Sequence, residues 1–233
     1  MASAIESVIS QTFSDWEMIV VDDCSTDGSA AIVRRYAQDD VRIRLLSTMQ
    51  NTGSPAIPRN IGIENAHGRY LAFLDSDDIW LPTRLEHQIP LMAIDDAAIV
   101  FSDYRKIDAD GNIHASVVTA PRIVSYKRLL HSNYCGCLTV MYDTAKVDKM
   151  YFKQRGHEDY ILWLSILKRG YRAYNTGTVE ALYRIVGQSV SSNKIRAFRW
   201  QWHILRYEEG LSLPFAILFM AHYAINAYLK SRK

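Results

Sequence analysis

Glu17-Met18-Ile19-Val20-Val21-Asp22-Asp23-Cys24-Ser25-Thr26-Asp27-Gly28-Ser29 passes from an apolar run through a cluster of acids. Residues 18–21 are continuously apolar, as expected of a strand covered on both faces. Acids crowd its end, and residues 28–38 then take a helical pattern. Working outward, residues 43–46 and 70–74 repeat the short apolar run, and residues 97–102 do so again. Between them, residues 58–67 and 82–92 read as helices, the first closed by Gly68 as a C-terminal cap. Strands alternating with helices predict an α/β fold, its mostly parallel central sheet flanked by helices. In such sheets ligands sit at the carboxyl ends of the strands.

Two of those ends are acidic. Val21 runs into Asp22 and Asp23, and Phe73-Leu74 runs into Asp75-Ser76-Asp77-Asp78. Clustered carboxylates repel each other unless a cation or hydrogen-bond donors compensate. A divalent ion shared with substrate phosphates is the usual compensation. Residues 23–28 partly imitate a calcium loop, but its twelfth position is Arg34 where a Glu is required. Asp27 or Ser29 can cap the helix that follows. Taken alone, Asp75 to Asp78 suit helix capping and metal binding equally. Asp108, Asp110 and Asn112 read as a hairpin turn within residues 107–113.

The bulk composition is that of an ordinary globular chain. Its 233 residues are 48% hydrophobic and 22% charged, which excludes a disordered polymer. A net charge of +2 gives no global sign of nucleic-acid binding, and no nucleic-acid partner is expected. The charge is uneven, though: residues 194–233 carry +5, leaving −3 for residues 1–193. Three cysteines are too few for a secreted disulfide framework, so a reducing compartment is expected. Cys135-Gly136-Cys137 lacks a second pair at zinc spacing and reads as part of a buried strand. Residues 1–12 have no basic start and no apolar run, so they are no signal peptide. Ile5, Val8 and Ile9 instead share one face of an amphipathic helix.

Residues 17–29 resemble the first nucleotide-binding motif of the family 2 glycosyltransferases, which have the GT-A fold. Asn51-Thr52-Gly53, Arg59-Asn60-Ile61-Gly62 and residues 66–78 continue the pattern in order. Gly156-His157-Glu158-Asp159-Tyr160-Ile161-Leu162-Trp163 resembles the family's acceptor-site motif. Tyr183-Arg184, with Ser189 and Ser191-Ser192-Asn193-Lys194, resembles a segment of bacterial polysaccharide-assembly members. The resemblance implies an inverting transferase that moves a sugar from a nucleotide-diphosphate donor, UDP-linked, to an acceptor hydroxyl. Asp22 or Asp23 would meet the base, Arg59 the nucleotide, and Arg184 the substrate. Asp77 would ligate Mg²⁺ or Mn²⁺, and Asp75 would lie nearer the ribose or share the metal. Asp159 would be the catalytic base with Glu158 beside it. Otherwise the two only complement a helix dipole. Alternatives are a catalytically silent nucleotide-binding scaffold and a sugar-phosphate nucleotidyltransferase. The second lacks its glycine-rich phosphate loop.

Two departures qualify the resemblance. Nothing corresponds to the family's first strand ahead of the amino-terminal helix, so an unpartnered strand edge is expected. Val186 stands where many relatives carry a metal-approaching His. No Gln-x-x-Arg-Trp motif of processive synthases occurs, which predicts transfer of one sugar at a time. Domain boundaries are expected at 1–193 for the catalytic part and 194–233 for a basic, apolar helical appendage. In that appendage, 15 of the 19 residues from 211 to 229 are apolar, yet the longest unbroken run is only 215–221. That run is too short to span a bilayer. Arg196, Arg199 and Arg206 beside Phe198, Trp200 and Trp202 suit a headgroup-level surface. Either peripheral membrane contact or a helical hairpin packed on the catalytic part would account for it. The resemblance suggests a glycan or lipid-linked glycan acceptor, hence a cytoplasmic location at the inner face of the cytoplasmic membrane.

Overall fold

The computed structural model describes residues 1–185 and 194–230. Helix α1 (Ala2–Ile9) precedes strand β1 (Met18–Asp22), α2 (Ser29–Asp39), β2 (Ile43–Ser47) and α3 (Ala56–Asn65). Next come β3 (Tyr70–Ala72), β4 (Ile79–Trp80) and α4 (Arg84–Gln88), the last continued by a 3₁₀ segment, Ile89–Ala93. Strands β5 (Ala97–Ile107), β6 (Ile113–Val118) and β7 (Ile123–Val124) lead to α5 (Tyr126–Leu129), β8 (Met141–Asp143) and α6 (Thr144–Val147). The chain closes with α7 (Glu158–Leu167), β9 (Arg172–Arg184), α8 (Lys194–His203), a π-helical turn (Ile204–Glu208) and α9 (Leu213–Lys230).

Among the described residues the strands form two sheets. β1 and β2 pair in parallel, Met18 opposite Ile43 through Asp22 opposite Ser47. The larger sheet runs β3-β8-β5-β9-β4, with β6 on β5 and β7 on β9. The expectation of a mostly parallel sheet is corrected here: the architecture is mixed. Among the described residues only β1–β2 and β5–β9 are parallel pairs, and β3–β8, β5–β8, β4–β9, β5–β6 and β7–β9 are antiparallel. Connection chemistry accounts for part of the difference, while four of the antiparallel pairs bring together strands far apart in the chain. Parallel neighbours need a crossover, usually helical, whereas tight turns join antiparallel strands. Helix α2 lies between β1 and β2, and α7 between β5 and β9. β5 and β6 are joined by the expected turn, in which Asn112 donates its backbone N–H to the Asp108 carboxylate at 2.8 Å.

The first seven residues of β5 are all buried, which makes it the central strand. β1 by contrast is only half-buried along its length. Among the described residues, β1 pairs only with β2 and β3 only with β8, so each leaves one ladder edge open. Helix α3 packs across β1, with Gly62 close to Val21. The main core gathers Phe73, Tyr142, Phe152 and Trp163. The Phe73 and Phe152 rings meet edge to face at 4.9 Å.

Two further expectations change. Helix α3 ends at Asn65 with Ala66 extended, so Gly68 is not its cap. The Glu17 carboxylate instead accepts the N–H groups of His67 and Gly68 and draws the chain out of the helix. Cys135 and Cys137 lie in a turn entering a 3₁₀ segment, Cys137–Thr139, rather than in a strand, and all three cysteines are free. The carboxy-terminal helices share the main core through Ile204, Leu205, Ala216 and Met220. Gln201 donates to the Tyr160 hydroxyl at 3.3 Å, and Glu209 accepts from Tyr126 and Lys168 at 2.6 and 2.9 Å. The expected boundary at 193, together with Val186, Ser189 and residues 191–193, lies outside the described residues. Among the described residues no helix is long and apolar enough to cross a membrane.

Candidate functional site

Arg59 organises the site. It rises from α3 and donates one terminal nitrogen to Glu158 at 2.9 Å and the other to Asp75 at 2.7 Å. A single planar fork thus ties α3, the end of β3 and the start of α7. Burial works against its charge, but Asp75 and Glu158 outweigh that and hold the guanidinium charged. The Cys137 thiol lies close by, and burial pushes it so far above its usual range that it brings no charge at neutral pH. Asn60, the next residue of α3, clasps the backbone of Phe152 in both directions, donating at 2.9 Å and accepting at 2.7 Å.

Glu158 and Asp159 open α7, where the helix dipole favours carboxylates. Asp159 points toward Asn133, which donates to it at 3.2 Å. Burial pushes the Asp159 carboxyl up to about 6, and the charge of Glu158 adds to the shift. The residue just before, His157, has a left-handed backbone with φ +59°. Cys24, following Asp23, is left-handed too, with φ +57°. Non-glycine residues in this region store strain and cluster at functional sites.

At the end of β1 the two acids part company. Both Asp23 oxygens are engaged: the hydroxyls of Thr48 and Thr52 donate at 2.8 Å, and the Thr52 N–H at 3.0 Å. Desolvation pushes the Asp23 carboxyl up, yet these hydrogen bonds hold it below its usual value. Asp22 accepts only a long bond from the Ser25 N–H, at 3.3 Å. Asp23 therefore laces β1 to the 51–53 loop, and Asp22 has the freer carboxylate.

Beyond β3, Asp77 is exposed, Asp75 half-buried and Asp78 buried. Asp78 accepts the backbone N–H of Arg184 at 2.8 Å. Burial pushes its carboxyl up to about 7, and the charges of Asp75 and Asp77 add to that. The Arg184 side chain is spent on backbone carbonyls: Asp77 at 2.9 Å, Asp108 at 3.0 Å and Ala109 at 3.1 Å. It braces the acidic turn against the β5–β6 hairpin. Asp75 and Asp77 suit a hard divalent ion as a partial set of oxygen ligands, with substrate phosphates completing it. Among the described residues no group of three His, Cys, Asp or Glu side chains gathers into a full protein cage.

Arg59, Asp75, Glu158 and Asp159 thus meet in one place, with Asp77 and Arg184 at its rim and Asp22 and Asp23 at the end of β1. Asn60 and Asp78, which stand inside the quoted motifs without a role of their own, and Asn133 join them. Asp78 had a signal, as the last acid of its cluster. Asn133 had none, because it belongs to no motif of the resemblance and to no acidic cluster.

The glycosyl transferase family 2 model matches residues 1–156. The chain is 39% identical over 227 residues to the putative teichuronic acid biosynthesis glycosyltransferase TuaG of Bacillus subtilis, covering 97% of this chain and 90% of that one. It is 37% identical over 206 residues to an Escherichia coli protein, WfgD, covering 88% and 79% of the two chains. WfgD is described as a UDP-Glc:alpha-D-GlcNAc-diphosphoundecaprenol beta-1,3-glucosyltransferase. Among solved structures, S. aureus TarS 1–349 in complex with UDP-GlcNAc matches with a TM-score of 0.72 at 19% identity, over 95% of this chain and 66% of that one. The mannosyltransferase PcManGT of Pyrobaculum calidifontis, in complex with GDP-Man and Mn2+, matches with a TM-score of 0.65 at 17% identity, over 97% and 70%. The chain belongs to glycosyl transferase family 2 and has the GT-A fold.

Proposed function

We propose that this protein transfers a single sugar, with inversion, from a UDP-linked donor to a hydroxyl of a lipid-linked glycan at the inner face of the cytoplasmic membrane. The observation that carries the reading is the meeting of Arg59, Asp75, Glu158 and Asp159 from three separate elements. UDP-Glc and a diphosphoundecaprenol acceptor in the name of WfgD, and UDP-GlcNAc bound to TarS, favour the donor and acceptor classes.

Asp159 is the base. It takes the proton of the acceptor hydroxyl as the oxygen attacks the anomeric carbon, and the nucleoside diphosphate leaves from the opposite side, so the configuration inverts. A carboxyl titrating at about 6 is ionised at neutral pH and still basic enough to accept that proton. Arg59 holds Glu158 beside it and keeps Asp75 at the donor end, so donor and base share one brace. Asp22 meets the base of the nucleotide, and Arg184 fixes the turn that carries Asp77. Asp77 and Asp75 would hold Mg²⁺ or Mn²⁺, as Mn2+ accompanies GDP-Man in PcManGT. When bound, such an ion offsets charge on the departing diphosphate.

UDP release from UDP-sugars in the presence of a lipid-linked acceptor tests the reaction. Sugar transfer that stops in Asp159→Asn while UDP binding persists is the expected result. A protein that binds UDP but turns over no UDP-sugar would be a nucleotide-binding scaffold, and the reading would fall. UDP titration with and without chelator tests the metal, and equal affinities would remove it from the scheme.

A further inference from the structure

Helix α8 has a wet, apolar outer face. Ile195 is 71% exposed and Phe198 46% exposed, and with Trp202 and Arg199 they line an open groove of about 600 Å³. Arg199 also borders a second, smaller hollow of about 250 Å³, shared with Arg155, Gly156, Trp200 and His203. The two concavities therefore share one side chain, Arg199. The first is open and apolar, and the second is smaller, with Arg155, Arg199 and His203 among its lining residues.

The basic hollow carries no carboxylate in its lining. Among the described residues neither Arg155 nor Arg199 is paired with an acid, while Glu208 approaches His203 only at 4.0 Å and is bonded to Lys153. Its floor is Gly156, where a side chain would overlap the Trp200 indole, so the ring lies directly on the backbone leading into α7. Ile161, one turn into α7, forms another wall. Arg155 and Gly156 stand immediately ahead of α7 in the chain. Glu158 and Asp159 lie in the first turn of that same helix.

We propose that this double concavity binds a lipid-linked diphosphate, the apolar chain along Ile195, Phe198 and Trp202 and the diphosphate between Arg155, Arg199 and His203. The complementarity is chemical: one ligand supplies both a branched or linear hydrocarbon and a compact dianion, joined end to end. A bare phosphate leaves the groove wet, and a plain acyl chain leaves both arginines unpaired. The inference rests on the lipid-linked acceptor reading above and deepens it, because it assigns the residues that hold the acceptor's lipid end. A sugar attached to that diphosphate would begin at the turn that carries Asp159.

Tryptophan fluorescence of the full chain, saturated with UDP and Mg²⁺ so that the donor end is filled, reads the binding. The probe is farnesyl diphosphate below its micellar concentration, with farnesol and inorganic diphosphate as its two halves. Farnesyl diphosphate should bind about tenfold or more tighter than either half, a difference of about 1.4 kcal/mol or more. Phe198→Ser and Arg199→Gln should each weaken it about tenfold. Both side chains are exposed, so thermal melting and UDP affinity should match the parent. Inorganic diphosphate binding as tightly as farnesyl diphosphate would overturn the proposal. So would variants that bind farnesyl diphosphate normally but lose phosphatidylglycerol vesicles, since the face would then be a bilayer-docking surface. Loss of UDP binding in the parent would instead strike the donor reading and leave this site standing.

Discussion

Asp159 and Arg59 make opposite demands on one patch of charge, and both can be read by titration. The folded carboxyl of Asp159 titrates at about 6, above its ordinary 3.8, so the native state holds its proton more tightly than the unfolded chain. Stability therefore falls as pH rises from about 4 through 6, and Asp159→Asn should melt higher than the parent at pH 8 but not at pH 4. Equal melting at both values would show that the carboxyl is not strained. On the proposed reading the same variant loses about 10²-fold or more in turnover, with UDP affinity kept. The parent's rate should drop tenfold per unit below pH 6. Neighbours should move that limb in opposite directions. Arg59→Met removes a cation and raises the midpoint, whereas Glu158→Gln removes an anion and lowers it, each by on the order of one unit. Shifts of the same sign would sink the assignment. The family resemblance named Asp159, Glu158, Asp75 and Arg59 from their motifs; of these, only Asp75 was also marked by an acidic cluster at a strand end. It did not separate Asp22 from Asp23, since that choice depends on Thr48 and Thr52, brought in by another strand and loop.

At the scale of elements, the turn ahead of α7 has little room. Gly156 lies under the Trp200 ring and His157 is left-handed, so the turn is fixed from two sides. Gly156→Ala should cost about 1–3 kcal/mol through overpacking, measured by denaturant unfolding. Shortening the ring, as Trp200→Leu, should restore part of that loss in the double variant. Additive losses would mean that the two residues do not meet. The early strands and the helices between them were legible because apolar runs and helical periods alternate cleanly. Of the antiparallel pairs the β5–β6 hairpin was legible from its turn residues, but β4 and β7 are two-residue strands with no periodicity to read. Their pairing is decided by neighbours far along the chain. The tail was legible as helical and amphipathic. That its inner face enters the main core follows only from Ile204, Leu205, Ala216 and Met220 meeting partners from elsewhere.

At the scale of the whole molecule, the two sheets differ in how firmly they are held. β5 is buried and laddered on both sides, whereas β1 and β2 are largely half-buried and paired only with each other. Amides of β1 and β2 should exchange with solvent at least about tenfold faster than those at the centre of β5. Uniform protection would contradict the topology. The open edges of β1 and β3 are also places where another extended chain can pair. Asp22 at the end of the smaller sheet and Asp75 beyond β3 are the residues assigned to opposite parts of one donor. The donor is then the rung that the backbone omits. On the proposed reading, the donor would add contacts between two sheets that share no ladder among the described residues. Substrate and scaffold would stiffen together, and the melting temperature would record how much donor is present.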